Sequence, residues 1–215
     1  MADDAKNPRS SGRDASAGSA RVARRRDRRK AEIVRTATLI LAECGYQGMN
    51  LDAVAEQTDI AKATLYHYFP SKDVLVAAAL EAITLDVLER LNAREEQLGA
   101  VSARAHLAAL IDEQIRILTE TAPEVAAVFA WPRGWPAVFD DDMKDMRRRH
   151  DAVFRRVVER GIADGEFGCP NIDVALQCLH GILNQSSVWL RPGARAEDRA
   201  AMRAAVVDRA LRVFD

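Results

Sequence analysis

The chain has 215 residues, 48% of them hydrophobic, enough to build a real core in one large domain or two small ones. Its three cysteines, Cys44, Cys169 and Cys178, lie far apart with no Cys-x-x-Cys spacing, which argues against a disulfide framework and for the reducing cytoplasm. The net charge of −1 hides an uneven distribution: the stretch "RVARRRDRRK", Arg21 to Lys30, sets six arginines and a lysine against one aspartate, a cationic block suited to an anionic partner.

Abundant Ala, Leu, Arg and Glu with sparse Gly and Pro predict an all-α chain of about nine helices. No apolar run reaches the roughly 18 residues of a membrane span, and the N-terminus lacks the apolar segment of a secretion signal, so no membrane contact is expected.

Residues 1–22, rich in Ser, Ala, Asp and Gly without periodicity, read as a disordered tail. A helical pattern starts near Arg24, with Ile33, Ala37, Ile40, Leu41 and Cys44 on one face and Gly45 as its stop. Asn50 then caps a helix of about two turns, whose buried side holds Leu51, Val54 and Ala55. Next, "TDIAKATLYHYF" gives a short turn and a second two-turn helix, with Ile60, Leu65 and Phe69 inward. Pro70 ends it, and Ser71 caps the next helix, with Asp73 favourable in its first turn.

Two short helices joined by a tight turn behind a longer one outline a helix-turn-helix. Such helices are marginal alone, so their outward face is the reason to keep them. Lys62, Thr64, Tyr66, His67, Tyr68 and Lys72 all carry hydrogen-bond donors there. Lys62 and Thr64, at the start of the second helix, are placed for base edges, and the arginines Arg24, Arg25, Arg26, Arg28 and Arg29 for an arm on the DNA backbone or minor groove.

Further along, a helix carries Leu75, Ala78, Ala82, Leu85 and Leu88 and ends near Gly99. The next starts at Ser102 with Leu107, Leu110, Ile111, Gln114 and Leu118. Pro123 opens a short helix, and "FAWPRGWPAVF" is a bent apolar connection. Three more helices are expected over about 137–164, 172–190 and 196–214.

The stretch "ATLILAECGYQGMNLDAVAEQTDIAKATLYHYFPSKDVLVAAAL", above all "LYHYFPSKDVL", resembles the TetR family of transcriptional regulators, and "RGIADGEFGCPNIDVALQCLHGIL" is similar to its weaker signature near the eighth helix. The resemblance implies an all-α homodimer, with a helix-turn-helix DNA-binding domain over 23–72 and a larger effector-binding and dimerisation domain over 73–215. It implies a non-enzymatic repressor with no cofactor, released from a pseudo-palindromic double-stranded DNA operator by a small apolar effector. Tyr66, His67 and Lys72 look like backbone clamps and Asn50 like a phosphate contact, while Lys62, Ala63 and Thr64 set operator choice. The turn departs from the family's usual Ala-Gly-Val-Ser: Thr58-Asp59-Ile60-Ala61 stands there, which removes the serine cap at 61 and leaves Thr58 or Asp59 to compensate.

The aromatic residues Phe129, Trp131, Trp135 and Phe139, with Trp189 on the eighth helix, read either as core or as the wall of an apolar effector pocket. Met143, Met146, His150, Asn184, Gln185 and Ser187 are candidates for the same pocket. Arg147, Arg148 and Arg149 offer an anion contact, although three consecutive helical residues cannot all face inward, and a solvated face is the stronger expectation. His106, His150, His180, Cys169 and Cys178 show no metal-ligand spacing. Small residues on the last two helices (Gly181, Ser186, Ala200, Ala201, Ala204, Ala205), with Leu179, Ile182, Leu183, Met202, Val206 and Val213, are suited to a two-fold four-helix contact. A dimeric DNA-binding factor without small-molecule control is the alternative reading, which a cavity filled by aromatic side chains would favour. The motifs of common hydrolases and nucleotide-binding enzymes are missing, which disfavours an enzyme.

Overall fold

The computed structural model describes residues 11–129, 135–190 and 195–215, with side chains from Ala20 onward apart from Phe129. Among the described residues the chain folds as nine α-helices, with no strand: α1 (Ser11–Gly48), α2 (Leu51–Gln57), α3 (Lys62–Tyr68), α4 (Lys72–Leu98), α5 (Ala103–Arg116), α6 (Pro123–Phe129), α7 (Asp140–Ala163), α8 (Ile172–Trp189) and α9 (Ala196–Leu211). None of these helices is long and apolar enough to cross a membrane.

Helix boundaries follow local chemistry. Gly45 takes φ 68°, which interrupts α1 where a side chain would be strained. The Asn50, Ser71, Ser102 and Asn171 side chains accept from backbone N–H groups in the first turns of α2, α4, α5 and α8. Glu166 adds a second cap to α5: its two carboxylate oxygens accept from the Ala103 and Arg104 N–H groups, both at 2.9 Å. α5 is the central helix, in contact with α4, α7, α8 and α9, while α1 packs on α4 and α6. At its C-terminal end α5 widens into a π-helical turn, Ile117–Thr121.

Three expectations are corrected. Residues 11–22 of the expected disordered tail are helical and continuous with α1, while 1–10 lie outside the described residues. Once α1 is nucleated on its core contacts, propagation adds a hydrogen bond per residue and carries the helix back through this segment, although its Ser and Gly are weak helix formers. On α4 Leu75 is buried as expected and Ala78, Ala82 and Leu88 are half-buried, but the fully buried stripe runs through Val76, Ala79, Leu80, Ile83, Val87 and Leu91, and Leu85 is exposed. Cys44 is exposed, its thiol turned back to the Ile40 carbonyl at 3.0 Å.

Candidate DNA-reading face and effector cavity

Leu65 and Phe69 are fully buried beneath α3. Lys62, Ala63, Thr64, Tyr66 and His67 are all exposed, and Tyr68 is half-buried against the core. The short helix is thus held down by two side chains and turns a row of donors outward. Lys62 is not idle: its ammonium pairs with Asp52 of α2 at 2.6 Å. Asn50 accepts the Ala53 N–H at 2.7 Å through Oδ1, so its carbonyl oxygen caps α2 and its amide donors face outward.

The turn settles the missing cap. Ala61 caps α3 with backbone only. Thr58 does not compensate, since its hydroxyl donates to Val54 O at 2.7 Å within α2. Asp59 adopts φ 50°, the left-handed conformation that glycine takes most easily.

Arg24, Arg25, Arg26 and Arg28 are exposed on α1, so the expected arm is a helix. Arg29 is excluded from it: its guanidinium bonds Glu32 at 2.9 Å and the Thr58 carbonyl at 3.3 Å, tying α1 to the turn. Lys72 is half-buried with its ammonium 4.3 Å from the centre of the Tyr46 ring. Sequence reasoning missed Tyr46 here.

Between α4, α5, α7 and α8 lies a cavity of about 570 Å³, within the usual range of small-molecule sites. Of the candidate effector residues, Trp135, Met143, Met146, His150 and Asn184 line it. Phe139 does not; it is buried beside the cavity with Tyr46 and Trp135, at ring separations of 5.5 and 5.7 Å. Trp189 is 49% exposed, because nine residues beyond His180 a helix has turned to its opposite side. Gln185 and Ser187 also lie off the lining. The Phe129 side chain and Trp131 lie outside the described residues.

The cavity also has a polar wall that sequence reasoning missed. Buried Gln114 stands 2.9 Å from His150 Nε2 through Oε1, which requires Nε2 to carry the proton. Burial, reinforced by nearby His180, pushes the His150 imidazole down to about 3, so it is neutral. His180 meets Asp151 at 3.2 Å, and Asp151 and Asp173 both bind Arg155. The signal was available: Gln114 is a lone amide in the apolar stripe of α5. Among the described residues no group of His, Cys, Asp and Glu could hold a metal ion.

Residues 33–79 match the family model of bacterial regulatory proteins of the tetR family, and residues 100–213 match that of the tetracyclin repressor-like C-terminal domain. The chain is 22% identical over 178 residues to the HTH-type transcriptional repressor KstR2 of Rhodococcus jostii RHA1, covering 77% of this chain and 81% of that one. It is similar in fold to FadR from Bacillus subtilis in complex with stearoyl-CoA, with a TM-score of 0.69 at 19% identity over 86% of this chain and 96% of that one. The ketosteroid transcriptional regulator KstR2 of Mycobacterium tuberculosis gives a TM-score of 0.65 at 18% identity, over 84% and 93% of the two chains.

Proposed function

The chain belongs to the TetR family of transcriptional regulators, and we propose that it is a cytoplasmic, homodimeric repressor released from a pseudo-palindromic operator by an apolar small molecule. Residues 23–72 form the DNA-reading unit in this reading, and 73–215 bind effector and dimerise. The observation that carries it is the outward face of α3, where Lys62, Thr64, Tyr66 and His67 are exposed above a buried Leu65. Lys62, Ala63 and Thr64 read base edges. Asn50, Tyr66, His67 and Lys72 hold phosphates, joined by Arg24, Arg25 and Arg26 from the helical extension.

The effector is a fatty-acyl or sterol-derived compound held in the α4–α5–α7–α8 cavity. The stearoyl-CoA in the similar FadR structure and the ketosteroid named for the similar KstR2 structure support that class. An open cavity of about 570 Å³ disfavours a factor without small-molecule control, whose aromatic side chains would fill the space. Occupancy acts only through a difference in affinity between the DNA-competent and incompetent arrangements.

The test is selection of duplexes from a random pool, followed by titration of candidate effectors against the protein–DNA complex. A two-fold related sequence that is released by a fatty-acyl or sterol compound is the expected result. Failure to enrich any sequence overturns the DNA-binding reading, and an enriched duplex that no compound releases overturns the effector reading.

A further inference from the structure

The cations around the cavity differ in what they are bound to. Arg155 is held by Asp151 at 3.1 Å and Asp173 at 2.6 Å. Lys144 pairs with Asp141 at 3.3 Å. Arg149 turns away from the cavity to Glu81 at 2.8 Å and Asp145 at 3.7 Å. Arg147 and Arg148 both line the cavity, and neither has a carboxylate or hydrogen-bond partner among the described residues.

Arg147 follows Met143 by four residues and precedes His150 by three, the spacing that stacks side chains on one face of α7. Its neighbour one turn on, Asp151, is already taken by Arg155 and His180. Arg148 stands one step round the helix and also borders a smaller recess with Glu81, Asp141, Asp142 and Asp145. Those carboxylates offset part of its charge, so Arg147 is the principal cation. Both arginines are exposed, which places them at the rim, while Gln114 is buried and Ile83, Val87, Leu118 and Leu183 supply apolar wall.

A chamber with an apolar wall on one side and an unpaired guanidinium at its rim is suited to an amphipathic molecule that leaves its charge outside. Arginine's planar fork suits carboxylate and phosphate alike. Resting on the effector reading above, we propose that the effector is an amphipathic anion whose apolar body fills the cavity and whose anionic group is bound by Arg147, with Arg148 in support. A free carboxylate and the phosphates of a coenzyme A thioester both present that chemistry.

The experiment titrates matched pairs into the purified full chain at low salt: laurate against dodecan-1-ol, and cholate against its methyl ester, with lauroyl-CoA as a fifth probe. The anion of at least one pair is expected to bind about tenfold more tightly than its neutral counterpart, a preference that shrinks with added salt. Arg147→Gln should bring that ratio close to one without weakening the neutral compound, and Arg147→Lys should keep most of it. Lauroyl-CoA binding above laurate in an Arg147-dependent way assigns the anionic group to the coenzyme A phosphates; laurate binding above lauroyl-CoA, which has no free carboxylate, assigns it to the carboxylate. Equal affinity for anion and neutral partner, or a preference that survives the Arg147→Gln/Arg148→Gln double variant, overturns the inference and leaves the apolar-effector reading standing. No binding by any of the five overturns both.

Discussion

The Tyr46 hydroxyl donates to Asp73 Oδ1 at 2.5 Å, joining the end of α1 to the first turn of α4. The carboxylate holds the phenol above its ordinary pKa, so the proton stays on the tyrosine. The same ring has Lys72 4.3 Å from its centre and Phe139 and Trp135 at 5.5 and 6.3 Å. Trp135 lines the cavity. One aromatic side chain therefore touches a residue assigned to DNA and a residue assigned to the effector. Tyr46→Phe keeps the ring and loses the bond, and should lower stability by about 1 kcal/mol in urea unfolding. Tyr46→Ala loses the ring as well, and should also diminish effector-induced release from DNA. An unchanged release in Tyr46→Ala would remove this ring from the coupling.

Asp59 holds a left-handed conformation in the turn between α2 and α3, and it brings a negative charge to the side that faces DNA in the proposed complex. Glycine adopts the same backbone without a side-chain penalty. Asp59→Gly should therefore leave stability unchanged or raise it by up to about 1 kcal/mol, and should tighten binding to a selected duplex. Weaker binding by this variant would show that the carboxylate contributes to the complex.

The Lys62–Asp52 pair sets a cost on the same face. Lys62 must leave Asp52, 2.6 Å away, before it can serve a base or phosphate. Asp52→Asn frees it and should increase affinity, whereas Lys62→Ala should decrease it. If Lys62 serves a phosphate, Lys62→Ala will also flatten the salt dependence by about one counterion. If it reads a base, the loss will fall on particular duplex sequences. Gel-shift titrations across a range of salt on matched and altered duplexes separate the two.

His150 predicts an acid dependence of stability. In the unfolded chain the imidazole titrates near 6.5, and in the fold its pKa is pushed down to about 3. Unfolding then takes up a proton between those values. Its contribution to stability is complete above pH 6.5 and is lost progressively as pH falls towards 3, at up to about 1.4 kcal/mol per pH unit. His106, with a pKa also lowered by burial, adds a loss of the same sign. His150→Gln should give a shallower fall between pH 6 and 4 than the wild type in parallel urea titrations. Identical slopes would mean that His150 is solvated in solution.

The helix order and the anchoring of α3 were legible because they rest on local signals: caps at Asn50, Ser71 and Ser102, the stop at Gly45, and an apolar Leu65 and Phe69 among polar neighbours. The cavity was legible only in part. Trp135, Met143, Met146 and His150 declared themselves by type, but aromatic character does not distinguish a wall from a core, and Phe139 went to the core. Side-chain pairing across distant segments was not legible at all. Tyr46 to Asp73, Lys62 to Asp52 and Arg149 to Glu81 depend on how helices cross, and the sequence carries no signal of that.

The last two helices divide their faces more sharply than their composition indicated, and this division yields a test of the dimer. Leu179, Leu183, Ser186 and Val206 are buried within the chain itself and are not free for a partner. On the other side of α8, Val174, Cys178, Gly181, Gln185 and Val188 are exposed at alternating four- and three-residue steps, which is one continuous helical stripe. A Cβ built on Gly181 would meet nothing within 4 Å, so the backbone there is open to close approach. α9 exposes Ala201, Met202 and Ala205 at the same kind of spacing. In the proposed homodimer, two copies of such a pair would bury these small and apolar residues in a two-fold four-helix contact. Ala205→Arg places a charge and bulk on that stripe without touching the internal core. The variant should keep its helical circular dichroism, run as a monomer by light scattering, and bind a two-half-site duplex about 100-fold more weakly, since the second head no longer arrives tethered to the first. A dimer that persists in both Ala205→Arg and Gly181→Arg would place the two-fold contact elsewhere.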